Sequence, residues 1–163
     1  MAVIGKKQWR IARTDSGTPP VVYELPEATN QTFPANGLVI LNANGEVTAV
    51  TGDDDTVFWG IAENAGQNGT GKRARVFRIT SDLTFIGNMV DAAAADHVSV
   101  QADIGPMGII FDDTPKRWYL DASQQGGAND RVHVIQPAPG SVIGDTNAEF
   151  YFKFFESAIQ SQG

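Results

Sequence analysis

The sequence predicts an all-β protein with little helix, folded as a compact barrel or sandwich. Three observations carry that expectation. Short apolar runs rich in β-branched and aromatic residues recur along the chain and are closed by Gly, Pro, Asn or Asp. The 17 glycines and 8 prolines among 163 residues lie between these runs rather than in one block. The last run alternates so that Ala148, Phe150, Phe152 and Phe154 share one face.

Residues 1–32 read differently from the rest. They hold Lys6, Lys7, Arg10 and Arg13, four of the 12 basic residues, with Trp9 and Ile11 on either side of Arg10. Asp15-Ser16-Gly17-Thr18-Pro19-Pro20 reads as a turn or linker, and Pro26 interrupts the run that begins at Val21. A frayed tail is the plain outcome for a chain end. Trp9, Ile11 and Val21-Val22-Tyr23 carry more apolar surface than such a tail does. The segment is therefore expected to be an extended N-terminal arm that orders on a partner. The β-rich domain is then 33–163, and removing residues 1–20 is expected to leave it folded.

Residues 37–64 form a compact meander. The turn Asn42-Ala43-Asn44-Gly45 favours the positive φ of a tight hairpin. Gly52-Asp53-Asp54-Asp55 must loop into solvent before Phe58 and Trp59 return to the core. A glycine-rich loop at 66–71 leads to a strand over 72–79. Arg73, Arg75, Phe77 and Ile79 share one of its faces, and Ala74, Val76, Arg78 and Thr80 share the other. This densest basic patch is either a charged edge that discourages aggregation or a docking patch for an acidic surface.

Residues 85–90 are a further strand, and Asp91 is placed to cap a short helical turn of alanines. Strands are expected over 98–101, 108–111 and 117–120, and a polar loop over 121–130. In the next strand Val132 and Val134 point inward and Arg131 and His133 outward. On the closing strand the face bearing Glu149, Tyr151, Lys153 and Phe155 needs a cover: another sheet, the N-terminal arm or a neighbouring subunit. The total is about nine to eleven short strands.

Chemistry is sparse in this pattern. Without cysteine there is no disulfide, thiolate ligand or thiol nucleophile. His97 and His133 lie apart, and neither a Gly-x-Ser-x-Gly element nor a His-Glu-x-x-His pair is present. Asp53-Asp54-Asp55 and Asp112-Asp113 lack the calcium-loop spacing and read as solvated turns. Residues 66–72 lack the phosphate-loop spacing. A net charge of -7 argues against a nucleic-acid partner. No window approaches a membrane span, and residues 1–7 do not form a signal peptide, so synthesis in the cytoplasm is expected. The expectation is a protein that is not an enzyme, with no catalytic residue, metal or cofactor.

Several stretches carry a family likeness. They are Gln31-Thr32-Phe33-Pro34-Ala35-Asn36-Gly37-Leu38-Val39, the hairpin ending in Phe58-Trp59-Gly60-Ile61-Ala62, and Gly108-Ile109-Ile110-Phe111-Asp112-Asp113. Arg117-Trp118-Tyr119-Leu120-Asp121, Arg131-Val132-His133-Val134 and the closing strand follow. Together, across most of residues 30–155, they resemble the head decoration (cement) proteins of tailed bacteriophages.

The resemblance implies a β-tulip-like subunit, a homotrimer on the outside of a virion, made in the host cytoplasm. Such a subunit stabilises the capsid by bridging major capsid protein subunits, with no nucleic-acid or membrane partner. The N-terminal arm would add a strand to the capsid lattice through Lys6, Lys7, Trp9, Arg10, Ile11 and Arg13. Arg73, Arg75, Arg78, Tyr151 and Phe155 are the candidates for contact between subunits. The competing expectation is a carbohydrate- or receptor-binding module of a virion, with Trp59, Trp118 and Tyr119 stacking on sugars.

Overall fold

The structure, a computed structural model, describes residues 1–50 and 57–161. Asp53, Asp54 and Asp55 of the acidic loop lie outside the described residues. The strands are β1 (Arg10–Thr14), β2 (Val22–Pro26), β3 (Leu38–Leu41), β4 (Val47–Ala49), β5 (Gly60–Ala62) and β6 (Arg73–Arg78). They continue as β7 (Leu83–Val90), β8 (Gly105–Asp112), β9 (Arg117–Gln125), β10 (Val132–Pro137) and β11 (Glu149–Phe154). The fold is all-β, as the sequence predicts.

Strands β7, β11, β10, β8 and β9 follow one another as antiparallel neighbours, and β9 returns to β7 through a short parallel pair, Met89 with Leu120 and Val90 with Asp121. That pair closes a five-stranded barrel, which leaves no open edge around the ring. It uses only the end of β7. The other end of the same edge, residues 83–86, is taken by β1 as an added antiparallel strand. A second antiparallel sheet runs β2-β6-β5-β3-β4. An isolated bridge between Glu27 and Val47 draws its two outer strands together.

Alternation decides which side chains fill which core. Phe85, Phe150, Phe152 and Phe154 point into the barrel with Met89, Met107, Ile109, Trp118, Leu120, Val132 and Val134. From the second sheet Leu38 and Ile61 join that core, while Val39, Val47, Ala62, Ala74 and Val76 turn the other way and pack with Phe33 and Trp59. The second sheet is thus apolar on both faces. The hairpin between β3 and β4 is set by Asn42, whose Oδ1 accepts from the backbone N–H of Asn44 and Glu46 at 2.9 and 3.0 Å, with Gly45 at φ +75°.

Residues 1–32 are not an arm apart from the domain. Trp9 is fully buried in the barrel core, β1 extends the barrel sheet, and β2 pairs along β6 over Val22 to Pro26. The cause is the apolar content that argued against a tail: it finds its cover within the chain. Gly87 makes room for it, since a Cβ there would stand 3.0 Å from the Phe152 ring and 3.2 Å from Trp9 Cβ.

Other boundaries shift for local reasons. Asp91 caps a single 3₁₀ turn, Ala92–Ala94, accepting from the N–H of Ala92 at 2.8 Å. Residues 98–101 are not a strand: Val98 makes one bridge to Thr146, and Gln101–Asp103 is a 3₁₀ turn. β9 runs on to Gln125, shortening the expected loop. Arg131 is buried rather than outward, its guanidinium donating to the carbonyls of Ala128 and Asp130.

Candidate binding surface

The candidate residues that face solvent together lie on the outside of β1, β7 and β11. In a regular strand, residues 10 and 13 would point to opposite faces. A bulge between Ile11 and Arg13 changes the register, so that Arg10 pairs with Ile86 and Arg13 with Thr84, two residues on one face of β7. Ile11, opposite Phe85, packs inward against the core. Ile86 in turn lies opposite Tyr151 of β11, so Arg10, Ile86 and Tyr151 form one cross-strand row.

Charge is concentrated along this row. Glu149 is buried at its edge and takes Lys7 Nζ on one carboxylate oxygen at 2.8 Å and Arg10 Nη1 on the other at 2.7 Å. Burial resists its ionisation, and the hydrogen bonds from Lys7 and Arg10 more than offset that, holding the carboxyl below the usual carboxylate range. Two cations therefore share one carboxylate. The Arg13 guanidinium lies over the Tyr151 ring, 4.8 Å from its centroid, and pairs with no carboxylate among the described residues. Lys153 pairs with Asp15 and also donates to the Ser81 carbonyl. Phe155, just past β11, packs edge-on to His133 at 6.3 Å.

The structure thus brings together Lys7, Arg10, Arg13 and Tyr151, which the sequence assigned to two separate surfaces, while Phe155 packs partly buried against the core beside His133. Others are removed. Trp9 stacks on Trp118 at 5.5 Å with its indole N–H donating to the Asn36 carbonyl at 2.8 Å, so it has no free face to offer. Lys6 is turned to the Ala94 carbonyl and to Asp96. Arg73 and Arg75 belong to the other sheet and pair with Glu24 and Glu63. Arg78 lies over the Trp59 ring at 4.7 Å and donates to the carbonyls of Trp59 and Gln160. Desolvation there lowers its pKa from the ordinary arginine value.

Lys153 and Glu149 belong to the surface but were not singled out in the sequence. Their places on the outward face of the closing strand were the available signal. The sugar-stacking expectation does not survive: Trp59, Trp118 and Tyr119 are all buried, because each fills a core between strands.

The remaining polar candidates are engaged locally. Asp112 closes its own turn by accepting from the Thr114 N–H, and Asp113 pairs with Lys116. His97 Nε2 lies 2.9 Å from Asp103. Among the described residues no group of three or more His, Asp or Glu is placed to hold a metal ion. In comparisons with family models, with curated proteins and with solved structures, nothing matches this chain.

Proposed function

We propose that the protein is a structural binding subunit of a virion rather than an enzyme. It docks the outer face of β1, β7 and β11 on acidic groups of a major capsid protein lattice and stabilises the head by bridging neighbouring subunits. The observation that carries the reading is the cationic, aromatic row on a molecule of net charge -7. Arg13 has a ring beneath it and no carboxylate paired with it among the described residues, and Lys7 and Arg10 share a single carboxylate. An acidic partner is repelled by the molecule as a whole and attracted at this face, which selects orientation. The bacteriophage head resemblance supplies the partner class. Docking is by the finished sheet face, with the N-terminal segment held inside the fold.

The test is co-sedimentation of the purified chain with undecorated tailed-phage heads at rising salt. Binding is expected to weaken with salt and to fall at least about tenfold in Arg13→Glu, for about 1.4 kcal/mol or more. Failure of the parent to bind, or binding by Arg13→Glu equal to the parent's, would overturn the proposal.

A further inference from the structure

One end of the molecule reverses the usual distribution of polar and apolar groups. Met1, Val3, Val98, Val100 and Val142 all stand exposed, Val3 by 74% and Val142 by 60%. They come from three segments that converge. Thr146 bridges Val3 on one side and Val98 on the other, Ser99 accepts from the Gly144 N–H, and Met1 lies against Gly144.

The polar groups of the same segments face inward. Asp145, buried, accepts from the backbone N–H of Ala2 at 2.8 Å and of Val142 at 3.0 Å. Asn147, also buried, accepts from His97 N and donates to Asp96. Asp103 accepts from Val100 N at 2.7 Å and from Gln125. These bonds fix the three segments with their valines pointing to water, a clustered apolar exposure of the kind that marks an interaction site.

The backbone shows what kind of partner fits. The Thr146 N–H donates to the Ala2 carbonyl and the Ile4 N–H to the Thr146 carbonyl, so both bonds of this parallel bridge leave Val3's own N–H and C=O on the opposite side. Neither has a partner among the described residues. A residue with both groups free on an edge can exchange two hydrogen bonds with the same residue of an antiparallel strand. A two-fold axis through Val3 supplies that strand, because it sets two identical edges antiparallel. The rim suits it too: Lys6 and Asp96, paired at 2.9 Å, give each copy one charge of either sign to offer. Asp145 and Asp103 are turned inward, away from an approaching acidic copy.

We infer that this end is a two-fold self-association surface, in which the edges at Val3 of two copies pair antiparallel and the valines pack across the axis. The inference is independent of the proposed docking on a capsid, since its readout is mass in solution.

The experiment is light scattering or sedimentation equilibrium of the full chain from about 1 to 200 μM, a range that reports micromolar affinities. The parent is expected to reach twice the 17.5 kDa of one chain. Val3→Pro removes the free donor and no hydrogen bond of the single chain. Val142→Asp places a charge on an exposed apolar side chain. Both are expected to stay at single-chain mass where the parent dimerises, with unchanged circular dichroism. A parent that remains single, a parent that runs as three chains, or a Val142→Asp variant that dimerises like the parent would each overturn the inference.

Discussion

Replacing Trp9 by alanine tests whether the N-terminal segment is part of the folded core. The indole is fully buried, stacked on Trp118 with 13° between the ring planes, and lies 5.4 Å from Phe152 and 5.8 Å from Phe154. Removing a buried tryptophan costs about 3–5 kcal/mol, and the half-buried Asn36 carbonyl loses its donor for about 1 kcal/mol more. Against a total stability of about 5–15 kcal/mol for a domain, that is about a quarter of the margin or more. The expected fall in Tm is about 8–24 °C. Urea unfolding followed by near-ultraviolet circular dichroism reads it directly. Arg13→Ala is the control from the same segment, where loss of an exposed cation–π contact costs about 0.5–1 kcal/mol. A Trp9→Ala protein within about 1 kcal/mol of the parent would refute the reasoning, because a detachable arm predicts a change of that size. The same packing reverses the expectation that residues 1–20 can be removed without unfolding the domain.

Two further outcomes follow from close contacts and from charge. Gly60→Ala places a Cβ against Val76 Cγ1 and 2.6 Å from the Phe77 carbonyl, and that backbone belongs to a paired strand. A loss of about 1–3 kcal/mol is expected in urea, whereas Gly127→Ala, with nothing within 4 Å, is the neutral comparison. For pH, Glu149 has a folded pKa below its ordinary value. Its contribution is complete above the ordinary glutamate pKa of about 4.3 and is lost as pH falls through the lower folded value. Tm should therefore drop below about pH 4 in the parent. Glu149→Gln should be less stable at neutral pH and decline less steeply in acid. Asp96 and Asp145, also held low by the hydrogen bonds they accept, add acid dependence of the same sign. Identical slopes for parent and variant would contradict this.

The barrel strands were legible where the face of each residue is fixed by its neighbours in sequence. The closing strand is the case in point: alternation placed Phe150, Phe152 and Phe154 inside, and all three are buried. Trp9 was not legible in this way, because its partners Trp118, Phe152 and Phe154 are more than a hundred residues away. An apolar side chain amid lysines reads the same whether its cover is its own core or another chain. The available signal was Gly87, a lone glycine within the β7 run, which marks a close approach by something bulky. The outward row was hidden for another reason: Arg10 and Arg13 share a face only through the bulge at Ala12, and no residue type there announces a bulge. Val98 and Val100 read as a strand because alternation cannot show direction. Their exposure is decided by Asp103 and Asn147, polar residues whose partners are set by tertiary contact.

The first fourteen residues serve the core and both surfaces, and the physics of each position separates those roles. Ala2 and Ile4 tie the apolar end to residues 145–146 through Asp145 and the backbone, Trp9 and Ile11 fill the barrel, and Lys7, Arg10 and Arg13 face out. The exposed cation–π contact of Arg13 contributes about 0.5–1 kcal/mol, so that cation is free to vary for binding with little effect on stability, whereas Lys7 and Arg10 also neutralise the buried Glu149. Trp9 has no such freedom, since every face of its ring is already in contact. Loss of binding on changing an outward cation, at constant Tm, therefore reports on the surface. Loss of binding on changing Trp9 reports on the barrel, and a deletion of the whole segment mixes the two beyond separation.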